Sequence, residues 1–70
     1  MSLKEKLLSK ARLLNLEVSQ NFDSKWTIRG YEQGKVWLLE EKEADTWLMT
    51  FDQVPQMFLP IETVINILNR

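Results

Sequence analysis

The side chains able to do chemistry in this chain are carboxylates, lysines, arginines, hydroxyls and one tyrosine; histidine and cysteine are both absent. Without imidazole or thiolate, the usual zinc, copper and haem ligand sets are excluded, and so are Ser/His and Cys/His nucleophiles. The densest group of potential ligands is acidic: Glu40, Glu41, Glu43 and Asp45. A hard cation could use such oxygens, but their spacing is not that of an EF-hand loop and glycine is missing from the turn. A solvated acidic loop is therefore the expectation. Nor does anything supply the apolar pocket that would raise one of these carboxyls into a general acid. The reading is a protein that is not an enzyme, takes no metal or cofactor, and acts by binding.

Two combinations of residues could do the binding. Lys25, Arg29 and Lys35 stand near Tyr31 and Trp37, and aromatics flanked by cations on a sheet can stack single-stranded bases and neutralise phosphates. Trp37, Leu39 and Leu48, with Tyr31, could instead form an exposed apolar patch of the kind that marks a protein interface. The charge balance favours the second. The net charge is -1 and the pI about 5.3, unlike a dedicated phosphate binder. The charge is also uneven: residues 1–29 carry six cations against three acids, and residues 30–70 three cations against seven acids.

These residues need elements to hold them. Ser2-Leu3-Lys4-Glu5 has the form of a capping box, and Leu3, Leu7, Ala11, Leu14 and Val18 keep to a stripe about 80° wide. A first helix from about 2 to 15 follows, with Asn15 as a left-handed stop and 19–24 as a loop. The positive face of that helix could lie on an anionic membrane, or its leucines and lysines could serve in a presequence, but packing on a core is the expected use. From Lys25 the period becomes two, with Trp26, Ile28 and Gly30 on one side. Tyr31-Glu32-Gln33-Gly34-Lys35 suits a three-residue hairpin loop that pairs Tyr31 with Lys35, Arg29 with Trp37 and Ile28 with Leu38. Lys42–Asp45 is the next loop, and Thr46 to Phe51 the third strand. Opposing Glu41 to Thr46 sets Leu38 against Met49 and Val36 against Phe51.

With that register one face collects Trp26, Ile28, Val36, Leu38, Trp47, Met49 and Phe51, and is the core. The other holds Lys25, Thr27, Arg29, Tyr31, Lys35, Trp37, Leu39, Thr46, Leu48 and Thr50. Val54-Pro55 forces an extended segment, and Met57-Phe58-Leu59 could dock a partner but is expected to plug the sheet end or staple the last helix. Pro60 opens a last helix from about 60 to 69, with Ile61, Val64, Ile65 and Leu68 on a stripe about 100° wide and Arg70 near its negative end.

The expected fold is α+β: a two-layer sandwich in which a three-stranded antiparallel meander carries the N- and C-terminal helices on one face, in the order α-β-β-β-α. At 70 residues it is one domain, 1–70. The expected function is a small non-catalytic interaction module, a homodimer or accessory subunit, binding through the open sheet face. Its partner-binding residues are Arg29, Tyr31, Lys35, Trp37, Leu39 and Leu48. Single-stranded nucleic-acid binding on the same face is the alternative. No apolar run is long enough for a membrane span and no secretory leader is apparent, so a cytoplasmic location is expected.

Overall fold

A computed structural model describes residues 2–43 and 45–69, apart from the side chain of Gln56. Ala44, in the expected Lys42–Asp45 loop, and Arg70, placed by sequence at the negative end of the last helix, lie outside the described residues. The element order is α1 (Leu3–Leu13), β1 (Glu17–Gln20), β2 (Trp26–Glu32), β3 (Lys35–Glu43), β4 (Thr46–Phe51), β5 (Val54–Pro60) and α2 (Ile61–Leu68). The chain is α+β, with a helix at each end of an antiparallel sheet.

Helix α1 begins at the capping box expected of it. The Ser2 hydroxyl accepts from the Glu5 backbone N–H at 3.1 Å, and the Glu5 carboxylate accepts from the Ser2 backbone N–H at 3.4 Å. It ends in a Schellman motif: Asn15, at φ 62°, donates to the Arg12 carbonyl, and Leu16 donates to the Ala11 carbonyl, each at 3.0 Å. This stop comes early enough for the chain to reverse at once and run back as β1. Residues 17–20, which carry no alternation strong enough to announce a strand, owe their extended form to pairing with β2, Val18 opposite Ile28. Likewise 54–60 is a full strand paired with β4, Leu59 opposite Trp47, with a bulge between Met49 and Thr50. The sheet therefore has five strands in sequential order, β1-β2-β3-β4-β5, rather than the expected three.

The hairpins set the register. Gln33 (φ 54°) and Gly34 (φ 78°) form a two-residue turn with both central residues at positive φ, as a type I′ turn requires, and Asp52 (φ 52°) and Gln53 (φ 69°) repeat it between β4 and β5. The first turn is one residue shorter than expected. Glu32 pairs with Lys35, Gly30 with Trp37, Arg29 with Leu38 and Ile28 with Leu39. On the other side of β3, Leu39 faces Met49, Glu41 faces Trp47 and Glu43 faces Thr46, with a bulge after Glu41.

Both helices lie against the sheet face that bears Ile28, Leu39, Trp47 and Leu59. Those four join Leu7, Leu8 and Ala11 of α1 and Ile61, Val64, Ile65 and Leu68 of α2 in one core cluster. Burial on α1 centres on Leu7, Leu8 and Ala11, while Leu3 and Leu14 of the expected stripe are exposed and Val18, its last member, lies in β1. Helix α2 buries the four residues its periodicity indicated. Its first amide, that of Ile61, donates to the Asp45 carbonyl at 2.9 Å and so anchors the helix start to the β3–β4 connection.

Candidate functional site

The register decides which side chains the sheet presents. Residues directly opposite one another share a face, and the face alternates along each strand. Glu17, Arg29, Leu38 and Thr50 therefore lie in one row across the uncovered face, beside the row of Ser19, Thr27, Glu40, Leu48 and Phe58, with Tyr31 and Val36 paired at one end. Val36, Leu38 and Leu48 are half-buried and do not pack against the core cluster, while Thr50 of the same face is 8% exposed. Tyr31 and Phe58 are 65% and 64% exposed. The apolar members sit on β3, β4 and β5, while β1 and β2 supply a polar margin of Glu17, Ser19, Thr27 and Arg29.

Arg29 is a partly covered cation of this face. Its guanidinium carbon stands 5.6 Å from the centre of the Tyr31 ring, and its Nε is buried without a hydrogen-bond partner. Glu40 and Lys42 form a loose pair at 3.9 Å on the same side. The uncovered face thus carries both signs of charge around an apolar centre.

Of the six residues expected on this face, Arg29, Tyr31 and Leu48 are there. Leu39 is not: it is 1% exposed, a member of the core. Trp37 also points to the helix side, its indole lying flat over Gly30, where an added Cβ would stand 2.3 Å from the ring. Lys35 shares the parity of Trp37 and sits at the hairpin beside Asp52, at 3.8 Å. The face assignment of Lys35, Trp37 and Leu39 is corrected by the shorter turn, which carries Val36 and Leu38 to the open side in their place. Phe58 joins them because its segment is a strand. Gln33-Gly34 held the usable signal, since a glycine preceded by a polar residue also fits the two-residue type I′ turn.

The acidic group disperses. Glu41 is buried, and its two oxygens accept from the Lys4 ammonium at 3.2 Å and from the Trp26 backbone N–H at 3.1 Å, tying α1 to the sheet. Glu40 points the opposite way. Among the described residues no set of three or more carboxylates is gathered to hold a metal ion. Nor, among the described residues, is any helix long and apolar enough to cross a membrane.

A concavity opens on the helix side, at the sheet end where both helices stop. It is a cleft of about 250 Å³ walled by Leu16, Trp37, Leu39, Met49 and Ile67, with Glu32 at its rim. No family model, curated protein or solved structure matches the chain, so the reading of these surfaces rests on their geometry.

Proposed function

We propose that this domain is a non-catalytic interaction module that self-associates through its uncovered sheet face. The observation that carries the reading is the contiguous patch of Leu38, Leu48 and Phe58, with Val36 and Tyr31 at its end, on the side of the sheet that no helix roofs. An apolar centre with a polar margin is the anatomy of a protein interface. A second copy is the partner this face suits. It bears Glu17 and Glu40 as well as Arg29 and Lys42, so two copies related by a two-fold axis can set unlike charges against each other around the shared centre. A net charge of -1 adds little repulsion between copies. The site is Arg29, Tyr31, Val36, Leu38, Leu48 and Phe58.

The nucleic-acid alternative has less to stand on. Its stacking platform loses Trp37 to the helix side, and Glu17, paired opposite Arg29, puts negative charge where a phosphate would sit. Light scattering and sedimentation distinguish the two. The expected mass is about twice 8.3 kDa, falling to one chain in Phe58→Lys and Leu38→Lys variants whose circular dichroism is unchanged. A wild-type chain that stays monomeric at high micromolar concentration overturns self-association. If it then binds oligonucleotides in a salt-sensitive manner lost in Arg29→Ala, the alternative takes over.

A further inference from the structure

The cleft on the helix side combines features that the proposed interface does not use. Its walls are largely apolar, and the Trp37 ring lies against the backbone at Gly30. Glu32 at the rim has no ion-pair partner among the described residues: its cross-strand neighbour Lys35 is turned to Asp52 instead. The two helices also run in the same sense. Lys4, in the first turn of α1, reaches Glu41, and Ile61, the first residue of α2, is bonded to Asp45; both contacts are at the opposite end of the sheet. Their C-terminal residues Leu14 and Leu68 therefore meet at the cleft. A helix C-terminus carries the equivalent of about half a negative charge. The basic residues of the last turn of α1 are Lys10 and Arg12, and Arg12 lies over Trp26, 5.8 Å from its ring centre; among the described residues the last turn of α2 has none.

An apolar hollow beside an indole, under one unpaired carboxylate and two negative helix ends, is complementary to an organic cation. We infer that the cleft binds a small alkylammonium ligand, its apolar body against Leu16, Met49 and Ile67 and its charged head between Trp37 and Glu32. A volume of about 250 Å³ lies just below the range of ordinary drug-sized pockets, which limits the body to a short chain or single ring. The cation would gain from the face of Trp37 and from Glu32 together, so charge rather than size should dominate selectivity.

Three probes of equal chain length test this: hexylammonium, hexanol and hexanoate, followed by NMR at the Trp37 indole N–H and the Met49 methyl group. Hexylammonium should give saturable shifts at both positions with a Kd on the order of a millimolar, as suits so few atoms. Hexanol should bind roughly tenfold more weakly and hexanoate more weakly still. Glu32→Gln, at an exposed position, should erase most of the preference for hexylammonium and leave hexanol unchanged. Equal binding of hexanoate, or ammonium shifts confined to residues away from Trp37 and Met49, overturns the assignment. So does tighter binding of a blocked Gly-Lys-Gly peptide than of hexylammonium, which would make a lysine of another protein the occupant. Concentration-dependent shifts of Trp37 without any ligand would show a second copy filling the cleft, and would overturn it as well.

Discussion

The two faces of this sheet are made from the same strands and differ only in the parity of the residues they use. On the helix side Ile28, Leu39 and Trp47 are almost wholly withdrawn from water, at 0%, 1% and 0% exposure. On the other side Val36, Leu38 and Leu48, as apolar as their neighbours, keep a share of solvent and do not pack against the core cluster. Hydrophobic character thus does not distinguish the faces. What distinguishes them is whether a second layer is present, and the turns, by setting register, decide which side chains it receives.

The sharpest break of this comparison is the adjacent pair Trp47 and Leu48. Trp47→Ala removes the largest fully buried side chain and should cost about 3 to 5 kcal/mol, much of the stability of a domain this small. The indole nitrogen of Trp47, buried without a partner, trims that loss, since its desolvation penalty disappears with it. Leu48→Ala, one residue along and on the open face, should cost about 1 kcal/mol or less. Urea unfolding of the two variants measures the gap. Equal costs would mean that the open face is packed as tightly as the covered one, and the asymmetry would be gone.

A smaller effect separates the two glycines. At Gly30 a methyl group would meet the Trp37 ring at 2.3 Å, so Gly30→Ala must push the indole from its seat and should destabilise by about 1 to 3 kcal/mol. At Gly34 nothing lies within 4 Å of the added carbon, and the only penalty is the positive φ of 78°, about 1 kcal/mol. The Trp37 indole resonance should move in the first variant and stay in the second. Movement in neither would put Trp37 back on the open side.

That result bears on how much of the molecule could be read from its residues. The helices were legible because Ser2-x-x-Glu5, Asn15 and the Ile61, Val64, Ile65, Leu68 stripe are local signals, complete within a turn or two. The faces of β2 and β4 were legible because Trp26 and Ile28 alternate with Thr27 and Arg29, and Trp47, Met49 and Phe51 stand opposite in parity to Thr46 and Thr50, with Leu48 the one apolar residue on the other side. β3 was not, since Val36-Trp37-Leu38-Leu39 is apolar at both parities and only the length of a turn assigns its faces. A one-residue difference at Gln33-Gly34 moved Leu39 into the core and Trp37 against it, and brought Val36 and Leu38 out. β1 and β5 depend on partners far along the chain: Val18 is extended because Ile28 is beside it, and Leu59 because Trp47 is. Of the candidate site, Arg29, Tyr31 and Leu48 came from strands whose alternation was clear.

Glu41 and Glu40 give the finest comparison, because neighbours of the same type meet opposite fates. Glu41 is withdrawn beneath α1, where it takes one hydrogen bond from Lys4 and one from the backbone of Trp26. Lys4 itself is 40% exposed, so solvent screens much of the ion pair, and the larger part of Glu41's contribution lies in satisfying the buried amide. Glu41→Ala should therefore cost about 1 to 3 kcal/mol, most of it persisting in high salt. Glu41→Gln, which keeps an acceptor for Trp26, should recover part of that loss; a glutamine as damaging as alanine would show that charge, not hydrogen bonding, is what the site requires. Glu40, paired loosely with Lys42 at 3.9 Å on the open face, should lose no more than about 0.5 kcal/mol on change to glutamine. If Glu40→Gln instead weakens self-association while leaving unfolding untouched, the open face uses that carboxylate against Arg29 of a second copy, and the two faces divide between them stability on one side and recognition on the other.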